Sequence, residues 1–180
     1  MTAIGPYSQA LNYTFQTDIR PSGKVILPPD NTIMGFLDKH SDFSLFRDIV
    51  YTAGLESALS YRVIDTTLFV PMNKSFGDFS NAKQFVKNMD TLTARMIVQF
   101  SMLNRKICSE LLTASPHRYF ITKLASEKLE VTNLNCKCIL NQDVEITNFN
   151  ICVDNGVIHI VNKPLIPRYF SSASYFSQTY

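Results

Sequence analysis

The sequence predicts an α+β domain in which helices come first and an antiparallel β meander follows. Three observations predict it. From about residue 30 to 112 the apolar residues recur at spacings of three and four, the period of a helix with one buried face. Beyond Ser115-Pro116 the period falls to two, in short β-rich runs separated by polar turns. The change happens once, so helices and strands are segregated rather than interleaved, unlike a βαβ chain. With 180 residues, one domain with an adequate core is the default.

The elements follow in order. Residues 1–29 hold Pro6, Pro21, Pro28 and Pro29 with Gly5 and Gly23, which interrupt each apolar stretch before two helical turns are complete. They read as an extended arm with room for one edge strand. A domain spanning 30–167 comes next. Its first helix runs to His40, capped by Asp30 or Asn31, with Ile33, Phe36 and Leu37 on one face. Asp42 caps a second helix, where Phe43, Phe46, Ile49, Val50 and Ala53 keep helical spacing and Gly54 supplies the left-handed stop. Leu55 to Ser60 makes a further short turn.

A strand at Thr66 to Val70 ends at Pro71, which lacks the N–H needed to continue a ladder. Asn73 to Leu112 is again helical, with Phe76, Phe79, Phe85, Met89, Leu92, Met96, Ile97, Phe100 and Leu103 in the pattern, and Asn73 is placed to cap the helix that carries Phe76 inward. Five β-rich runs then alternate: Tyr119 to Lys123, Lys128 to Thr132, Cys136 to Leu140, Val144 to Phe149 and Val157 to Val161. Asn155-Gly156 suits a tight hairpin turn into the last run, where Val157, His159 and Val161 alternate against Ile158 and Ile160. Pro164 and Pro167 close the pattern, leaving 168–180 as an aromatic, Ser-rich C-terminal tail.

Composition narrows the function. Hydrophobic residues make up 46% of the chain and charged ones 18%, with a net charge of +2 from 17 basic and 15 acidic groups. That apolar fraction excludes a mostly disordered chain, and the apolar runs fall far short of the ~18 residues of a membrane span. No Lys/Arg run is present, so neither nucleic acid nor an anionic membrane is an expected partner. The N-terminus lacks the basic start and apolar stretch of a secretory signal; an intracellular or virion location is expected, or an extracellular one after removal of a leader.

Candidate chemistry is sparse. Cys108, Cys136, Cys138 and Cys152 read as reduced, half-buried thiols: Cys136 and Cys138, two apart on one strand face, are badly placed to bond to each other, and no neighbouring His completes a zinc set. His40, His117 and His159 are far apart, and His159 reads as a structural hydrogen-bonding residue. Neither a nucleophile elbow nor a phosphate loop or dinucleotide fingerprint occurs. No catalytic residue, metal, cofactor or small-molecule ligand is expected. Of the two sequons, Asn12-Tyr-Thr14 and Asn73-Lys-Ser75, the second is sterically closed if Asn73 is a buried cap.

Two resemblances stand out. Ala3 to Ala10 looks like the start of the enamine/imine deaminase family, but that match covers eight residues and stops, and we read it as coincidence. A longer one runs through the whole domain. Thr32 to Asp38, Asp42 to Phe46 and Ala53 to Leu59 are similar to the opening helices of fasciclin-like domains. Thr67-Leu-Phe-Val-Pro-Met-Asn-Lys-Ser-Phe76 resembles that family's first signature block, with Thr67, Phe69, Pro71, Asn73 and Phe76 at its spacings. Asp154 to Pro167 resembles the second, carrying Asn155, Gly156, His159 and Pro167. The resemblance implies helices followed by a meander that forms a β wedge, with these residues as scaffold. Two family features are altered: Phe100-Ser101 stands where a Tyr-His pair is usual, and Asn150-Ile151-Cys152 replaces an acidic pair linked to integrin binding.

The functional expectation is a non-catalytic interaction module, one subunit of a larger assembly. The family's occurrence in large DNA viruses implies a minor capsid protein as one such subunit; a surface adhesion protein is the alternative. Docking is expected through the two low-charge arms, by Tyr7, Tyr13 and Phe15 in the first and Tyr169, Phe170, Tyr175, Phe176 and Tyr180 in the second.

Overall fold

A computed structural model describes residues 31–61, 65–125 and 127–168. Among the described residues six α-helices occupy much of the first part: α1 (Ile33–Lys39), α2 (Ser44–Thr52), α3 (Glu56–Ser60), α4 (Phe79–Lys87), α5 (Thr91–Phe100) and α6 (Ser109–Leu112). The strands are β1 (Thr66–Pro71), β2 (Met102–Leu103), β3 (His117–Ile121), β4 (Lys128–Leu134), β5 (Lys137–Leu140), β6 (Val144–Val153) and β7 (Gly156–Val161).

Strands β3 to β7 form the antiparallel meander that the alternating pattern predicts. The sheet as a whole is mixed, in the order β2-β1-β7-β6-β5-β4-β3. β7 lies parallel to β1 along its full length, from Thr66↔Gly156 to Pro71↔Val161, and β1 pairs antiparallel with the short β2. A parallel pair needs a long connection and no local turn, so neither strand signals the other in sequence. Leu103 also bridges Thr122 beyond the end of β3, and Lys123 N donates to Met102 O at 2.8 Å. The two ends of the sheet therefore meet, and the strands wrap into a wedge.

Alternation along β1 and β7 divides the core. Leu68, Val70, Ile158 and Ile160 pack against Ile33, Phe36, Phe43, Phe46, Ile49 and Ile97 of the helical layer. Phe69 and Val161 point the other way, into a second cluster with Phe100, Leu103, Phe120, Val131, Leu140 and Leu165 inside the wedge. Both strands are buried at every position, as expected of a parallel pair covered on two faces. Each fully buried Phe or Leu contributes about 1.5–3 kcal/mol of transfer free energy.

Several local expectations are corrected. The cap of α1 is Thr32, whose Oγ1 accepts from Gly35 N, rather than Asp30 or Asn31; Asn31 instead donates from Nδ2 to Asp154 Oδ1 at 2.7 Å. Asp42 does not cap α2, because Ser41–Phe43 winds into a 3-10 turn that buries Phe43. The helical stretch from Asn73 to Leu112 is divided: a 3-10 turn at Asn73–Phe76 is followed by α4, α5, β2 and α6. Asp78 caps α4 and Asp90 caps α5, each accepting from the amide three residues on. Cys136 belongs to the β4–β5 turn, where Asn135 and Cys136 have φ of 51° and 62°, so it does not share a strand face with Cys138. The expected stop at Gly54 is present at φ 63°, with Leu55 N closing back on Val50 O.

The β6–β7 turn is Asp154–Asn155, one residue earlier than expected, with Val153 and Gly156 as the closing pair. Gly156 is required for a different reason. A Cβ there would stand 2.0 Å from the Thr66 carbonyl oxygen of the neighbouring strand. Gly156→Ala should therefore cost more than about 4 kcal/mol or prevent folding. Gly54→Ala, which meets only Arg95 at 3.6 Å, should cost about 1 kcal/mol for its left-handed backbone. Urea denaturation of the two variants checks the difference, and equal losses would refute the close-approach argument.

Candidate functional site

The two signature segments lie side by side because β1 and β7 pair in parallel: Thr67 beside Val157, Phe69 beside His159 and Pro71 beside Val161. Thr67 is fully buried; its Oγ1 donates to Arg105 O at 2.7 Å and accepts from Ile107 N at 2.8 Å. His159, also fully buried, donates from Nε2 to Ile107 O at 2.8 Å and accepts at Nδ1 from Asn150 N at 3.3 Å. The Phe69 ring stacks on the imidazole with centroids 5.6 Å apart, and Phe149 meets it edge-on at 5.7 Å. Thr67 and His159 thus jointly fix the connection between β2 and α6. The carbonyl at Nε2 and the amide at Nδ1 dictate a neutral ring, and burial drives its pKa from 6.5 down to about 4.

The asparagines act on helix ends from far away in the sequence. Asn155 Oδ1 accepts from Ile33 N at 2.9 Å, at the start of α1, while its Nδ2 donates to Leu59 O and Tyr61 O at the end of α3. Asn73 does not cap its own turn. Its Oδ1 accepts from Leu45 N at the start of α2, and its Nδ2 donates to Ser41 O and Ser44 Oγ. Asn150, at φ 60° where β6 is irregular, accepts from Ser109 N at 2.8 Å at the start of α6 and donates to Ser109 Oγ. Sequence reading missed these roles because an N-cap is sought within the helix's own segment.

The remaining signature residues are structural too. Phe76 is in the helical core, and Pro71 and Pro167 are buried. Where the Tyr-His pair would stand, Phe100 fills the wedge and Ser101, fully buried, donates to Ile97 O. At the position of the acidic pair, Asn150 is engaged with α6, Ile151 is buried, and Cys152 is exposed.

The three histidines, all among the described residues, lie apart. His40 hydrogen-bonds Phe36 O, and His117 lies on β3 against Thr132. Burial raises the Cys138 thiol to about 11, and burial and the nearby Cys152 raise Cys108, so both stay protonated at neutral pH. Among the described residues no group of three His, Cys, Asp or Glu could hold a metal, and no helix is long and apolar enough to cross a membrane. The expected docking residues Tyr7, Tyr13, Phe15, Tyr169, Phe170, Tyr175, Phe176 and Tyr180 lie outside the described residues.

With this geometry in view, known proteins give a consistent picture. The family model described as Fasciclin domain matches residues 41–167. The chain belongs to the fasciclin domain family. Periostin from Homo sapiens is 24% identical over 144 residues, covering 80% of this chain and 17% of that protein. Transforming growth factor-beta-induced protein ig-h3 from Sus scrofa is 24% identical over 148 residues, covering 80% and 20%. The chain therefore spans a fifth or less of these curated relatives. A solved FAS1 domain pair from the insect cell adhesion molecule Fasciclin I shares the fold, with a TM-score of 0.63 at 16% identity over 86% of this chain and 59% of that one. In this fasciclin domain the signature residues, buried except for the half-buried Asn73, hold the β2–α6 connection and, through Asn155 and Asn73, the starts of α1 and α2 and the end of α3.

The buried imidazole sets a pH dependence. Its folded pKa lies below the unfolded 6.5, so the unfolded chain binds the proton more readily. The stability of the neutral ring is present in full above pH 6.5 and is lost as the pH falls toward 4, by about 3 kcal/mol. His159→Gln should flatten the stability profile between pH 6.5 and 4.5, measured by urea denaturation. A slope as steep in the variant as in the native chain would sink the assignment.

Proposed function

We propose that this fasciclin domain is a non-catalytic interaction module, a subunit of a larger assembly that docks through the segments flanking the domain. The observation that carries the reading is that Thr67, Asn155 and His159 are buried and, with the half-buried Asn73, are engaged with backbone, which leaves recognition to the surface and the flanks. Low charge supports protein partners, and so does the density of aromatic rings after Pro167. Family membership and the scattered, engaged histidines weigh against an enzyme. The finer form of the proposal is a minor capsid protein of a large DNA virus, acting inside the infected cell and in the particle. Deleting residues 168–180 should sharply reduce incorporation into the native assembly, read by quantitative immunoblot of purified particles. Undiminished incorporation would remove the docking role.

A second reading, an extracellular adhesion module, is favoured by the solved neighbour, which is described as part of a cell adhesion molecule. It requires passage through the secretory pathway and hence glycan on Asn12 in the native source. Intact-mass analysis of the native protein decides, and a mass without glycan would count against adhesion.

A further inference from the structure

The connection between β2 and α6 crosses three strands in turn. Ile107 N donates to Thr67 Oγ1 on β1, Ile107 O accepts from His159 Nε2 on β7, and Ser109 N donates to Asn150 Oδ1 on β6, each at 2.8 Å. Cys108 stands between the last two anchors. The segment is thus held against the face of the sheet to which Phe69, His159 and Val161 belong.

Cys152 belongs to the same face. Its neighbours Ile151 and Val153 pack with the helical layer, so alternation along β6 turns Cys152 to the opposite side, opposite Val157, two residues before His159. Asn150, the residue that Ser109 grips through two hydrogen bonds, lies two positions back along β6. One polar contact therefore has a cysteine close on either side, Cys108 next to Ser109 and Cys152 near Asn150. The two thiols sense each other: after burial, Cys152 is the strongest influence raising the Cys108 pKa, with Glu110 adding to it and Lys106 opposing. Cys108 is half-buried and Cys152 exposed among the described residues. The other cysteines are placed differently, Cys136 in the β4–β5 turn and Cys138 buried inside the wedge.

We propose that Cys108 and Cys152 are an oxidisable pair, a dithiol that a small-molecule disulfide such as oxidised glutathione closes into an intrachain disulfide tying the β2–α6 connection to β6. The exposed Cys152, as thiolate, attacks one sulfur of the reagent; a mixed disulfide forms, and the displaced glutathione takes up the proton that Cys152 lost. Cys108 Sγ then attacks Cys152 Sγ, and its proton leaves with the second glutathione. Two protein thiols are oxidised and one reagent disulfide is reduced to two thiols. The pair stays open in a reducing compartment and closes in an oxidising one.

Peptide mapping by mass spectrometry of the folded full chain, treated with oxidised glutathione and quenched in acid, tests it. The expected main product is the Cys108–Cys152 cross-linked peptide, in a monomer two hydrogens lighter than the reduced chain. In full-length Cys108→Ser, Cys152 should halt at the mixed disulfide. In urea the share of this pairing should fall about tenfold or more, because only the fold holds the two thiols together. A native chain that stops at the Cys152 mixed disulfide, pairs Cys152 with another cysteine or a second copy, or leaves both thiols unreacted overturns the proposal. So does an equal share of the cross-link in urea.

Discussion

The parallel pairing of β1 with β7 is the constraint on which the rest of the fold depends. Ninety residues separate Thr66 from Gly156, yet their backbones approach so closely that a methyl group has no room between them. Joined in this way, the two strands become a wall with an apolar surface on either side. One surface receives the helices and the other lines the wedge, so both clusters of the core share these twelve residues. The antiparallel meander alone would offer the helical layer only β7 and the end of β6, without Leu68 and Val70.

Polar saturation follows from the same wall. Helix ends expose N–H groups at one terminus and C=O groups at the other, and a fold with many short helices has many such groups to satisfy. An amide side chain can do both at once, because it carries an acceptor oxygen and two donor hydrogens, whereas a carboxylate serves only the N–H end. Asn155 accepts at the start of α1 while donating at the end of α3, and Asn73 accepts from α2 while donating to the turn before it. This gives a physical reason for asparagine at these positions. Aspartate would set its charge against the carbonyls of Leu59, Tyr61 or Ser41.

Much of this was legible in the sequence. The helix-then-strand order, the left-handed Gly54, the alternation in β7 and the structural role of His159 all follow from local pattern, because each depends on a residue's own neighbours. What escaped was non-local. The two-residue β2 has no period of its own and continues the spacing of α5, so it reads as helix. The caps of α2 and α6 arrive from other elements, and the register that brings Phe69 onto His159 has no turn to announce it. The exposed Tyr119 and Ile121 did leave a signal: three consecutive apolar residues in a strand bounded by polar turns must place at least one large side chain away from the core.

The position of Asn155 in the chain has a further consequence, for synthesis on the ribosome. The group that completes the amino end of α1 and the carboxyl end of α3 resides 122 residues after Ile33, in the turn before the last strand. Nascent helices emerge early but lack their partners until β7 leaves the exit tunnel. The sheet surface they bury is likewise missing until then. The helical half therefore gains these partners only after β7 has been made.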